Sequence, residues 1–309
     1  MSAKNASMRV LLQDVSIGLR FTIRNILSFV LGILGVLIMA GLLTALAVVV
    51  LALAFFAMTG GLHAFMNAVM EIAFSTSATT GPLMAGTVML VVLPLLLPVF
   101  VAGGAIFGMG REVIETNGTN AGGVIQWYRN KFVPLAAVGA VLYLLIIGPP
   151  AIVMGVLGLI NGGTVSDGAF VALVVFSTVW GLVVSGMLNM AFPAVIDGQS
   201  ATEAIRTSVR LARTYTDRVF STWYAFVVIG GLLILPQMAL EGSFVGGHPM
   251  YTAISVYMAV AMIILLFVIL PAASIALNRV YLILTGEEDM QQEVELSPEE
   301  IDIDLVGGA

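Results

Sequence analysis

The sequence predicts an all-α integral membrane protein, with six transmembrane helices paired as three helical hairpins and a cytoplasmic interfacial amphipathic helix before each hairpin. Three observations predict this. Six long apolar runs carry no charged residue, the basic residues fall on one side of the resulting topology, and a lead-in, span, loop, span pattern recurs three times.

The apolar runs are Ile26–Met58, Pro82–Gly110, Phe132–Ile160, Gly168–Ile196, Val219–Leu240 and Met250–Asn278, and none contains Asp, Glu, Lys or Arg. Crossing about 30 Å of hydrocarbon takes ~20 apolar residues in a helix, so each run is long enough. The chain is 60% hydrophobic and 10% charged, against about 25% charged in a soluble domain. The first run far exceeds the apolar core of a cleaved signal, which spans ~7–15 residues, and reads as a retained span.

Basic loops stay on the cytoplasmic side of a membrane. With six spans and the N-terminus inside, all twelve basic residues lie on that side, from Lys4 and Arg9 through Arg111 to Arg218 and Arg279. The opposite loops (Thr59–Gly81, Asn161–Asp167, Glu241–Pro249) hold none. The expected location is the cell membrane, multi-pass, with both termini cytoplasmic. The net charge of −6 conceals an asymmetry, because the tail 287–309 carries nine acidic residues and no basic one. The rest of the chain is +3. An acidic chain with ten Arg and only two Lys also fits a salt-loving host.

Domain organisation follows from these runs: a cytoplasmic amphipathic N-terminus over 1–25, the membrane body over 26–286, and an acidic, disordered cytoplasmic tail over 287–309. The lead-ins to the three hairpins are Gln13–Leu27, Asn120–Val133 and Ser200–Phe220. The first two share Arg24-Asn25 and Arg129-Asn130 just before the apolar run. The returning spans each carry proline, at Pro94 and Pro98, Pro193, and Pro271, where a backbone hydrogen bond is lost and the helix bends. In the third lead-in, Ser200-Ala201-Thr202-Glu203 has the spacing of a capping box. Ile205, Val209 and Ala212 then share one face beside a stripe of Arg206, Arg210 and Arg213, the pattern of a helix lying in the membrane interface. Gly61–Phe74 reads as a short amphipathic or re-entrant helix on the far side.

The stretch from Pro193 to Arg213 carries Pro193, Gly198, Glu203-Ala204-Ile205, Arg206, Ser208 and Leu211. With that pattern it resembles the membrane domain fused to some glycerophosphodiester phosphodiesterases, and that domain's stand-alone prokaryotic relatives of unknown function. About twenty residues carry the specific match. The resemblance implies a similar hairpin layout but no phosphodiesterase activity, because the soluble catalytic domain and its metal-binding carboxylates have no counterpart here.

Candidate chemistry is sparse. Ionisable groups inside spans mark proton relays and coupled transport, and the six runs have none. Intramembrane catalysis lacks its acids, bases and nucleophiles, so no enzyme activity, catalytic residue or cofactor is expected. Cysteine is absent, which removes disulfides and thiolate metal sites. His63 and His248, with Glu71, Asp167 and Glu241, all fall on the external side, but no metal-ligand spacing exists and no metal site is expected. The polar span residues are Ser177, Thr178, Ser185, Asn189, Gln237 and Asn278. Asn189, four residues before Pro193, either meets a carbonyl freed by that proline or contacts a substrate. Gly104 and Gly108 form a GxxxG that serves close helix packing or a dimer seam.

Arginine suits phosphate contacts, and each basic residue near an anionic leaflet contributes ~1 kcal/mol. Arg20, Arg24, Arg129, Lys131, Arg206, Arg210 and Arg213 are therefore candidate lipid-phosphate ligands, set against generic anchoring with no discrete site. The tail, with its alternating Ile301-Asp302-Ile303-Asp304-Leu305, is a candidate docking segment for a protein partner, set against a solubilising extension or one that folds back onto the arginine face. No nucleic-acid partner is expected. Two functions remain: a non-catalytic scaffold associated with lipids or partners, and a passive carrier or channel for a neutral or amphipathic solute. The carrier requires a continuous polar path between the hairpins.

Overall fold

The computed structural model describes residues 7–59, 81–160, 166–240 and 249–286. Among these, every regular element is a helix. Six helical stretches are long and apolar enough to cross a membrane: Ile26–Met58, Val92–Thr116, Phe132–Leu157, Gly168–Ile196, Thr216–Pro236 and Thr252–Thr285. Gly61–Phe74, both histidines and the tail 287–309 lie outside the described residues, as do the side chains of Asp167, Gln237 and Glu241.

In chain order the helices are α1 (Met8–Arg24), α2 (Ile26–Thr59), α3 (Gly81–Thr116), α4 (Ala121–Asn130), α5 (Phe132–Ile160), α6 (Asp167–Leu188), α7 (Ala191–Ile196), α8 (Ala201–Thr214), α9 (Thr216–Leu240), α10 (Pro249–Ile264) and α11 (Leu270–Thr285). A π-helical turn, Leu265–Ile269, joins the last two.

The three short helices α1, α4 and α8 are built alike. Each begins on a side-chain cap: the Ser7, Asn120 and Ser200 oxygens accept from the backbone of Val10, Gly122 and Glu203. Such a cap satisfies a backbone donor that the first helical turn leaves unpaired. Each ends at one non-helical residue, Asn25, Lys131 or Tyr215, and the next long helix starts immediately after it. The first two joints have nearly the same backbone, with φ −108° and ψ 21° at Asn25 and φ −111° and ψ 17° at Lys131. The equivalent of Asn25 is therefore Lys131, not the Asn130 that matches it in the sequence. The start of α1 also differs from the expected Gln13, because the Ser7 cap lets the helix begin at Met8.

The long helices overrun the charge-free windows. α3 continues to Thr116 and takes in Arg111, Glu112 and Glu115, while α11 continues past Arg279 to Thr285. A turn at Asn189–Met190 separates α6 from α7. Proline is not confined to the returning spans, since Pro149 and Pro150 lie inside α5 and Pro236 inside α9.

α3 is the hub, packing against α2, α4, α5, α7 and α11. α1 lies along α11, and α8 packs on α6, α7 and α9. Within the spans, α2 packs on α3, α5 on α6, and α9 on both α10 and α11. Burial concentrates where α3 and α11 meet: Val101, Ala105, Met109, Ile275, Leu277 and Tyr281 are fully enclosed. By contrast, Leu42, Leu46 and Leu53 of α2 and Val228, Leu232 and Leu235 of α9 point outward, as lipid-facing apolar side chains do.

Glycines set the closest approaches. A Cβ on Gly104 would meet Leu135 at 2.6 Å, and one on Gly108 would meet Trp127 at 2.4 Å. The GxxxG thus seats α3 against α5 and α4 inside one chain. Gly18 lets α1 reach the backbone of α11, where a Cβ would sit 2.5 Å from the Ala272 carbonyl oxygen.

Candidate functional site

The basic residues among those described sit on α1, α4 and α8, on the joint at Lys131, or on the ends of α3, α9 and α11 that pack near them. Two polar clusters hold this end together. In the first, Asp14 of α1 is fully buried between Arg218 of α9, with Oδ2 2.7 Å from Nη2, and Arg279 of α11, whose Nη1 donates to Oδ1 at 2.8 Å. Arg218 is itself 1% exposed. Its Nε and Nη1 find no hydrogen-bond partner among the described residues. Burial pushes the Asp14 carboxyl above its ordinary range, against the pull of the two guanidiniums. Two guanidiniums from α9 and α11 thus share one carboxylate from α1.

The second cluster joins α3, the α7–α8 turn and α11. Arg111 pairs with Glu115 and stands 3.4 Å from Asp197, which accepts from the Tyr281 hydroxyl at 3.1 Å. Gln199 donates to the same hydroxyl at 3.1 Å. Nearby, Glu112 accepts from the Trp127 indole at 2.6 Å and from Thr119 at 2.9 Å, which closes the turn between α3 and α4. Neither cluster was foreseen as a site, although both contain charged residues counted in the topology.

The seven candidate phosphate ligands emerge mostly outward. Arg20, Arg24, Arg129, Arg206, Arg210 and Arg213 are exposed, and Lys131 is half-buried in its joint. On α8 the opposite face, Ala204, Thr207, Ser208, Leu211 and Ala212, is buried. The capping box is complete, and the bonds from Ser200 hold the Glu203 carboxyl below its ordinary range. The stripe is three arginines on one free side of a packed helix. The seven lie on α1, α4 and α8, so they are distributed over the end and do not converge on one pocket.

The Pro193–Arg213 motif has a local physical reason at nearly every position. Gly198 turns with φ +103°, a backbone that favours glycine. Glu203 completes the capping box, while Ala204 and Leu211 are buried. Ser208 donates to the Met187 carbonyl at 2.8 Å, where α6 breaks off. Arg206 is exposed, and its charge also helps to hold the Glu203 carboxyl low.

The polar residues of the spans serve backbone carbonyls. Ser177 and Thr178 donate to Leu173 and Val174 one turn back. Asn278 donates to Phe107 on α3 and to Ser274, both at 2.8 Å. Carbonyls close to prolines draw donors from neighbouring helices. Trp180 reaches Leu145, the carbonyl that Pro149 frees, at 2.7 Å. Thr44 reaches Leu95 beside Pro94, and Tyr128 reaches Pro98. For Leu145 this re-satisfies a backbone that proline interrupts. Ser208 does this service at the α6–α7 break. Asn189 does not: its amide is buried and finds no hydrogen-bond partner among the described residues.

Pro271 is accommodated differently. The π turn before it shifts the ladder by one residue, with the Leu270 N–H donating to the Leu265 carbonyl. A π turn inside an α-helix frequently marks a functional position. Beside it opens a wholly apolar groove of about 480 Å³ between α9 and α10–α11, lined by Trp223, Phe226, Met262, Leu266, Phe267 and Ala273 among others. No group of three or more His, Cys, Asp or Glu side chains suited to a metal ion occurs among the described residues.

Comparison with family models, curated proteins and solved structures found no match to this chain.

Proposed function

We propose that the protein is a non-catalytic, multi-pass membrane scaffold that holds anionic lipids through its exposed cytoplasmic arginines. The observation carrying this reading is the stripe of Arg206, Arg210 and Arg213, exposed on a helix whose other face is packed into the protein. Arginine offers planar, bidentate contacts to phosphate. In this reading α1, α4 and α8 lie in the cytoplasmic interface, the six spans form three hairpins, and both termini are cytoplasmic. The similar caps and one-residue joints of α1, α4 and α8 support a threefold repeat. The acidic tail 287–309 is the proposed docking segment for a protein partner. The resemblance to the phosphodiesterase-associated membrane domain is consistent with service at a lipid surface.

A carrier would need polar groups in file across the membrane. Among the described residues the span hydroxyls, indoles and amides mostly bond to carbonyls instead, which weighs against it. The test is lipid retention. The Arg206→Gln, Arg210→Gln, Arg213→Gln variant should lose anionic lipid that co-purifies with the wild-type chain, measured by mass spectrometry of gently extracted protein. Unchanged retention rejects the reading.

A further inference from the structure

We infer that the acidic segment 287–309 folds back onto the arginine stripe of α8 and covers it. The described chain leads the segment to that face. Tyr281 of α11 donates to Asp197 at 3.1 Å and accepts from Gln199 at 3.1 Å. Those two residues run directly into Ser200, the cap of α8. Beyond Tyr281 the last helix continues to Thr285, and Gly286 then turns out of it with φ +82°. Gly286 lies roughly 8 Å past Tyr281 along the helix axis, so the segment departs beside the start of α8.

Reach and charge both suit this face. At about 3.3 Å per residue, residues 287–309 extend up to roughly 75 Å, whereas the 14 residues of α8 span only about 21 Å. The segment holds nine acidic residues and no basic one, with Glu287, Glu288 and Asp289 at its exit. Against it, α8 carries three arginines and the single acid Glu203, and Arg206, Arg210 and Arg213 are all exposed. Half-buried Ile205 and Val209 lie beside the arginines, and Ile301, Ile303 and Leu305 alternate with Asp302 and Asp304, so aliphatic contact accompanies the ion pairs. One exposed ion pair contributes little, but several along one helix act as a network. The tether adds an effective concentration of order mM. On the lipid reading above, from which this consequence follows, the covered stripe is closed to anionic headgroups until the segment is displaced.

The test is double electron–electron resonance on the full chain, one copy per nanodisc, spin-labelled at Thr214→Cys on α8 and Ser297→Cys in the segment. The sequence has no cysteine of its own, so the labels sit only there. In zwitterionic lipid at low salt the pair should give one narrow distance. That distance should lengthen and broaden in the Arg206→Gln, Arg210→Gln, Arg213→Gln variant. It should do the same, with α8 untouched, when the nine acids of the segment become Asn and Gln. Salt at 1 M, where the screening length is about 3 Å, should also release the segment. A broad distance with arginines and acids intact, or a narrow one that survives either set of substitutions, overturns the inference. Phosphatidylglycerol added to the nanodisc should displace the segment too. A stripe-dependent contact that phosphatidylglycerol leaves in place keeps the docking and rejects the lipid reading instead.

Discussion

Asp14 and Arg218 lie about two thirds of the chain apart in sequence and meet at 2.7 Å with neither side chain open to solvent. Their contact, extended by Arg279, ties α1 to α9 and α11. Breaking a buried pair from one side strands the other charge, which typically costs about 3–5 kcal/mol. Asp14→Ala should therefore destabilise the protein by about that much in denaturant titration of detergent-solubilised chain. Replacing both partners, Asp14→Leu with Arg218→Met, should recover most of the loss, because the fully buried Arg218 charge goes with its partner and only the part-exposed Arg279 loses its Asp14 contact. If the double variant is no better than the single one, the pair is not an isolated unit.

A second prediction concerns the seat of α1. Gly18 lies against the Ala272 carbonyl, and backbone cannot yield as a side chain can. Gly18→Val should lift α1 from α11 at a cost of about 1–3 kcal/mol, the usual penalty of overpacking. Protease sensitivity within residues 8–24 would rise accordingly. A protection pattern like the wild type's would show that the two helices slide apart without penalty.

Ser208 gives a third. Its hydroxyl meets the Met187 carbonyl at the end of α6, so Ser208→Ala takes a donor from a part-buried carbonyl. The expected loss is about 1–3 kcal/mol, read as a lower midpoint of thermal unfolding. Ser208→Thr keeps the hydroxyl and should cost less.

Glu203 gives a pH-dependent prediction. Its carboxyl titrates below the ordinary value because Ser200 bonds to the charged form. A depressed carboxylate stabilises the fold above the unfolded value, here near 4.5, and that contribution disappears as pH falls through the folded value. Ser200→Ala should move the Glu203 titration back up towards 4.5, observed by carbon NMR of the labelled carboxyl. An unmoved titration would mean that the capping box does not set it.

The spans were readable because hydrocarbon imposes a length and a composition that few other structures share. The limits of the short helices were harder. Val10 and Leu11 look like loop residues until Ser7 is recognised as a cap, and the Arg24-Asn25 match misaligned the joints by one residue. The buried Asp14 left a faint trace: Asp14, Gly18 and Thr22 recur every fourth residue on α1, and all three are buried. A small, polar face opposite exposed arginines signals a helix packed on protein. Its partners could not be read, since Arg218 and Arg279 are ordinary topology arginines in sequence. The groove was similarly hidden, because a π turn has no period of its own and Pro271 alone marks its place.

The three one-residue joints have a mechanical consequence. With only Asn25, Lys131 or Tyr215 between a short helix and a long one, there is no slack to absorb relative rotation. Any change in the tilt of α2, α5 or α9 must turn a single pair of backbone dihedrals or swing the attached short helix as a lever. Bilayer thickness sets such tilts. With the short helices lying in the interface as proposed, the outward arginines ride on those levers, and their height above the surface is geared to the thickness of the bilayer around the protein.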